Sequence, residues 1–502
     1  MKVYLAGYNV DTTVLEELQR KSGKREDVTP EVISAAYARI SRDPRPINEI
    51  RKDARREVER ARKSNRTIIF KMGHHSVAEH AVFNLDIIGV SRLAMEEVEK
   101  FRLCSYTEKS QRYITLDKGF VVPHEIEDTP FKKAFLDLLG EQIATYKYLF
   151  DKLKRYVFKK YARLAENPKN HSLLEGWAKE DARYITSLAT ESQVGLTINA
   201  RNLELMLRRF ASHSLYEIKQ LGRAIYNEIY EVAPSIVIFH EANERDKNTY
   251  PQLRKLASNI IDFWEKKDDG EVVSLVEYTP DGDDIIAASL LHTSSGLPYR
   301  KCKSIVKDLL PEKKEEIFKK AWENMQFYDS MLREFEYVNL TFDIIISSAC
   351  FGQLKRHRMT TLTTQDYNPE LGVTVPQSVK EIDEEDRFRK VIDKANELYY
   401  KVKKEFPLAA PYVLTNAHRR RVLLRLNARE LYHISRLRED SHAQWDIRNI
   451  SSIMSRKAKE VMPLVFKMVG PKDKYNEIYQ SIFGRLPRVT KSVLPGERKI
   501  KP

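Results

Sequence analysis

Residues 198–209 read INARNLELMLRR, and residues 426–437 read LNARELYHISRL. Each begins on an apolar residue and an Asn-Ala-Arg triplet, then runs on with apolar positions at helical spacing. Working upstream, the likeness continues. Ala81, Phe83, Leu85 and Ile87 alternate with Val82, Asn84 and Asp86, ahead of the basic, hydroxyl-rich KFRLCSYTEKSQRY at 100–113. Leu340, Phe342 and Ile344 alternate with Asn339, Thr341 and Asp343, ahead of RHRMTTLTTQDYN at 356–368. A period of two predicts half-buried antiparallel strands. The stretches MKVYLAGYNVD and VVSLVEYTPDGDD open the two copies as short strands ended by turns. A repeat of about 250 residues is too long for a solenoid, so the chain reads as a duplicated domain.

Between these motifs the pattern is amphipathic helix, over 131–163, 312–335 and 382–405, which makes each copy α+β with an antiparallel sheet and packed helices. The expected division is a first domain over 1–245, a linker over 246–271 containing a joining helix, and a second domain over 272–502. The insert at 151–180, polar and Lys-rich, reads as a cap on the site or as a solvated helix pair.

The 502 residues are 42% hydrophobic and 31% charged with 17 Gly, which excludes disordered and fibrous classes. No run of 18 apolar residues marks a membrane span, and MKVYLAGYNV lacks the order of a secretion signal. Three cysteines, Cys104, Cys302 and Cys350, with no C-x-x-C exclude a disulfide framework and a thiolate zinc site. The expected location is the cytoplasm. A formal charge of +14 favours anionic partners or is simply a well-solvated surface. Nucleic acid is a partner that this charge allows, yet no basic tail and no RRM, KH or finger motif accompanies it.

On the late helix, Asn427, Leu431, Ile434, Arg438 and Trp445 share one face at 100° per residue. Arg438 thus interrupts an apolar stripe, and its counterpart in the first copy is Phe210. The stripe is completed by an apolar residue there, so packing does not need the arginine, and Arg438 reads as functional. Arg356, His357 and Arg358 end VNLTFDIIISSACFGQLK, read as a buried helix. Two fixed cations around an imidazole suit phosphate or a reduced, anionic cofactor ring, or else form a solvated helix end. Ser105, Glu108, Ser110 and Arg112 in SYTEKSQRY suit a phosphate loop or an ordinary polar turn. GHHSVAEH at 73–80 brings His74, His75, Glu79 and His80 close in sequence, without the H-E-x-x-H spacing of a metal helix, and no metal is expected.

Together these motifs resemble the flavin-dependent thymidylate synthases. HHSVAEHAVF, SYTEKSQRY and NARNL match in the first half, QLKRHR and NARELYHISRLREDSHAQWDI in the second. The departures are sorted. In the first half the R-H-R position reads Lys100-Phe101-Arg102 and the late-helix arginine reads Phe210. In the second, the nucleotide loop reads TTLTTQDYN, and MLREFEY keeps only Glu336 of H-x-[ST]-x-x-E-H. The resemblance implies a composite site. Gln353, Arg356 and the catalytic Arg438 would come from the second half; Ser105, Glu108, Ser110, Gln111, Arg112 and Arg183 from the first. Arg183 lies 16 residues before Asn199, where the second copy has Pro411.

The implied chemistry is reductive methylation of dUMP at C5 to dTMP, with FAD, NADPH and methylene-tetrahydrofolate. Ser76, Glu108, Arg356, His357, Arg358, Asn427, Arg429 and His433 would hold the flavin. Arg112, Arg183 and Ser110 would grip the nucleotide phosphate. Asn199 and Arg201 are read as structural because their partner position is Leu205. The family's tetramer implies that this chain forms a homodimer, a pseudo-tetramer with two live and two blind sites, the blind ones filled by Phe101 and Phe210. Two alternatives stay open: a related flavin- and folate-dependent enzyme acting on another pyrimidine, and a non-catalytic nucleotide- or flavin-binding homologue.

Overall fold

The computed structural model describes residues 1–490 apart from 12–16, 18–28, 40–44, 46–48, 50, 52, 55–57, 72–74, 113, 115, 117–118 and 262–269. Two four-stranded antiparallel sheets organise the described residues. The first contains β1 (Lys2–Tyr8), β2 (Val82–Ser91), β3 (Cys104–Glu108) and β4 (Glu191–Asn199) in the order β1-β2-β4-β3. The second contains β5 (Val273–Tyr278), β6 (Asn339–Ser347), β7 (Thr361–Thr364) and β8 (Arg419–Asn427) in the order β5-β6-β8-β7.

The register is duplicated too. Asn199 faces Val82 in the first sheet as Asn427 faces Asn339 in the second. The first edge is irregular between Leu5 and Gly7, and the second between Leu275 and Glu277. The chain is therefore two fused copies of one α+β fold.

The same capping chemistry follows each central strand. Ser91 ends β2 and its hydroxyl accepts from the Ala94 amide, opening the helix Arg92–Val98. Ser347 ends β6 and accepts from the Cys350 amide, opening the helix Ser348–Leu354. Each serine hydroxyl donates to a carboxylate from the first turn of a later helix. Glu217 of Tyr216–Tyr230 takes Ser91 at 2.7 Å, and Asp446 of Trp445–Val461 takes Ser347 at 2.7 Å. A side-chain oxygen at the N-cap satisfies an amide that the helix itself leaves unpaired.

Three readings are corrected by these elements. VNLTFDIIISSACFGQLK is a strand followed by a short helix rather than one helix, because β-branched Thr341 and three consecutive isoleucines favour the pleated sheet. The late helix Ala428–Arg438 stops at Arg438, and Trp445 opens the next helix, so they share no face. The helix expected over 312–335 spans Pro311–Trp322.

Two compact units emerge, residues 1–267 with 375–416, and residues 268–374 with 417–502. In the first, the helices Phe131–Lys160, His171–Ala182 and Glu385–Glu405 pack together, the last drawn from the second half of the sequence. Lys394 pairs with Glu141 at 2.7 Å, and Gln142 donates to the Val413 carbonyl at 3.0 Å. The helix Glu244–Ile261 starts two residues ahead of the segment expected as a linker and runs into it, and part of that segment (262–269) falls outside the described residues. In the second unit, Leu340, Phe342, Ile344, Val422, Leu424 and Leu426 of the sheet form one core with Leu431, Ile434, Ile447 and Met454. No helix among the described residues is long and apolar enough to cross a membrane.

Candidate functional site

In the second unit, the turn after Ser348–Leu354 carries Arg356 and Arg358 exposed on either side of a buried His357. The last residue of the late helix reaches this imidazole: Arg438 Nε donates to His357 Nε2 at 2.8 Å, and Arg438 Nη2 donates to the Gln353 carbonyl at 3.2 Å. The exposed His433 meets His357 edge-on, ring centroids 5.5 Å apart. Burial, then the Arg438 and His433 charges, hold His357 well below its ordinary pKa, so the ring is neutral. Gln353 Nε2 donates to Gln444 Oε1 at 3.2 Å, fixing the helix end from which Arg356 projects.

Asn427 and Arg429 have fixed places. Asn427 is the N-cap of the late helix, its Oδ1 accepting from the Glu430 amide at 2.9 Å. Arg429 pairs with Glu336 at 2.7 Å and donates to the Met331 carbonyl at 2.8 Å. The first copy repeats both contacts. Asn199 caps through the Asn202 amide at 3.0 Å, and Arg201 pairs with Glu79 at 2.5 Å. Glu336, the residue kept from the upstream motif, thus braces the triplet arginine as Glu79 does in the first copy.

In the first unit, the loop after β3 meets the turn at Arg183. Arg183 is 7% exposed, and its Nε and Nη2 have no hydrogen-bond partner. Burial pulls its pKa down, opposed by Glu180. Arg112 Nε donates to Glu180 at 2.5 Å, while burial pushes the Glu180 carboxyl up. Gln111 Oε1 accepts from Asn416 at 3.1 Å, and Gln111 Nε2 is buried without a partner. Asn416 also donates to the Arg183 carbonyl at 3.1 Å and to Thr186 Oγ1 at 2.9 Å, tying the loop to the turn.

A buried guanidinium and an amide nitrogen left unsatisfied together are costly alone and fit an anion with several acceptor oxygens. Ser110 Oγ accepts from the Arg112 amide at 3.2 Å. Glu108 is held by Arg92 at 3.0 Å and by Ser192 at 3.1 Å, and Ser105 is exposed on β3.

Ser76 sits exposed on the turn His75–His80. His74 lies outside the described residues, and among those described no three His, Cys, Asp or Glu side chains gather as metal ligands.

Register lets each position be compared with its counterpart. Where the second copy joins Arg438 to His357, the first packs Phe210 edge-to-face on Phe101 at 6.0 Å. Gly222 is required there, since a Cβ at that position would lie 2.9 Å from Phe210 Cβ. Where the first copy holds Glu108 against Arg92, the second has Thr364 bonded by Arg420 at 3.0 Å, and Arg420 stacks on Tyr367, the counterpart of Gln111.

Asn416, Glu180, Arg92 and Glu430 escaped the sequence reading. Glu430 had a signal, since a glutamate three residues after a capping Asn is a helix-start pattern; Asn416 had none, its partners being remote in sequence.

The thymidylate synthase complementing protein family matches this chain over residues 26–235 and again over 274–464. A UPF0159 protein of Chlamydia pneumoniae is 26% identical over 84% of this chain and 83% of its own length. A flavin-dependent thymidylate synthase of Clostridium tetani is 31% identical over 41% of this chain and 80% of its own length. A flavin-dependent thymidylate synthase of Pyrococcus abyssi is 31% identical over 32% of this chain and 59% of its own length.

Proposed function

Because the chain belongs to the flavin-dependent thymidylate synthase family, as a fused tandem homologue, we propose that it methylates dUMP at C5 to give dTMP. The observation that carries this reading is the exchange of contacts between copies. Arg438–His357 is matched by Phe210–Phe101, whereas Arg183 and Gln111 are matched by Pro411 and Tyr367. Decay would scatter such losses, whereas selection on one composite site sorts them.

In this reading the methylene carbon of methylene-tetrahydrofolate would bond to C5 as its bonds to the folate nitrogens break and tetrahydrofolate leaves; the C5 proton would be lost and one hydride would complete the methyl group. FAD, reduced by NADPH, supplies the hydride when bound. Arg183, Arg112, Ser110 and Gln111 grip the nucleotide phosphate, with Ser105 and Glu108 beside them. Gln353 and Arg356 approach the nucleotide from the second set. Arg438 faces the pyrimidine as a fixed cation and stabilises negative charge as N3 ionises. The exposed Arg356 and Arg358 with neutral His357 fit an anionic cofactor, joined by His433, Asn427 and Arg429, and by Ser76 and Glu108 from the first half. The chain works as a homodimer in the cytoplasm, and Phe101 with Phe210 closes the second pair of sites.

The test is a visible spectrum of the purified protein titrated with dUMP. One flavin per chain whose absorbance dUMP perturbs is the expected result. A flavin that ignores dUMP would move the substrate to another pyrimidine, and failure to take up FAD would end the catalytic reading. Arg438→Ala should lower kcat by about 10²–10³-fold, as loss of a preorganised charge does.

A further inference from the structure

The neutral His357 leaves one contact unexplained. Its Nε2 accepts from Arg438, so the ring's single proton sits on Nδ1. That Nδ1 is buried without a hydrogen-bond partner, and Glu430 Oε1 stands 3.5 Å from it. Glu430 is itself 8% exposed, on the first turn of the helix whose last residue is Arg438. A glutamate at this place in a capped helix ordinarily turns back to the cap amide or out to water; here it lies buried and faces the imidazole. In the first copy, where the imidazole is Phe101, the counterpart is Asn202, whose amide folds back on Asn199 at 2.8 Å. The carboxylate thus occurs only in the copy that keeps the histidine.

We propose that Glu430 is a positioning residue. It holds the His357 proton on Nδ1, keeps the Nε2 lone pair turned to Arg438, and so fixes where the Arg438 guanidinium points. One fixed tautomer orients a donor beyond it, the logic by which a partner on one ring nitrogen sets the role of the other. The link to turnover rests on the synthase reading; the link from Glu430 to the tautomer does not.

The experiment uses full-length protein labelled with ¹⁵N-histidine. Long-range nitrogen–proton spectra of wild type and Glu430→Ala identify the protonated nitrogen of His357, assigned with His357→Gln. Wild type should carry the proton on Nδ1, Glu430→Ala should lose that single tautomer, and Glu430→Gln should keep it, since an amide oxygen still accepts. Glu430→Ser serves in place of the alanine variant where that variant does not fold. With dUMP, kcat should fall about 10-fold in Glu430→Ala with flavin content unchanged, and Glu430→Gln should restore it.

An unaltered tautomer in Glu430→Ala or Glu430→Ser overturns the proposal, as does a glutamine variant no better than alanine. A wild type that does not turn over dUMP, with a tautomer that still follows Glu430, sinks the synthase reading and upholds the positioning role.

Discussion

At Arg183, stability and binding pull apart. A buried guanidinium with two unpartnered nitrogens costs stability, and in the proposed function the same nitrogens are what the nucleotide phosphate would gain. Arg183→Met should therefore weaken nucleotide binding by about 10–150-fold, the worth of a charge-assisted hydrogen bond. Its urea midpoint without nucleotide should stay level or rise. Calorimetric titration and equilibrium unfolding measure the two. His357 offers a second residue-scale test. Its folded pKa lies well below that of the unfolded chain, so the unfolded state binds the extra proton first. Stability from the neutral ring is present above about pH 6.5 and is lost as pH falls through that value, by about 1.4 kcal/mol per pH unit. His357→Gln should flatten the unfolding midpoint against pH between about 5 and 6.5, where wild type slopes.

At the scale of elements, the sequence was legible wherever the signal was local. Alternation placed β2 and β6, and the repeated triplet placed both late helices. Asn199→Ala and Asn427→Ala should each cost about 1 kcal/mol, read by thermal unfolding, because each asparagine satisfies one amide of the opening turn. Periodicity misled at Ser347. An apolar strand running straight into an apolar helix shows no change of character, and only the serine cap marks the junction. What escaped was long-range. Asn416 reaches Gln111 and Arg183 across most of the chain, and Glu430 points inward from a position that helix pattern alone assigns to the surface. In the first copy, Phe210→Ala should cost about 3–5 kcal/mol, since the ring is buried against Phe101 and Gly222, and it should leave the nucleotide loop's affinity unchanged.

For the whole molecule, duplication frees each copy to lose what the other supplies. Two independent sites per chain would leave each half able to work when the other is damaged. A single shared site would not, because Arg112 and Arg438 then serve one substrate from different halves. Arg112→Ala and Arg438→Ala should each remove nearly all turnover, the first chiefly by raising KM for the nucleotide and the second by lowering kcat. Titration of wild type should end at one flavin and one nucleotide per chain. A variant that kept about half of wild-type turnover, with two nucleotides bound per chain, would mean that each half holds its own site and that the sorted losses have another cause.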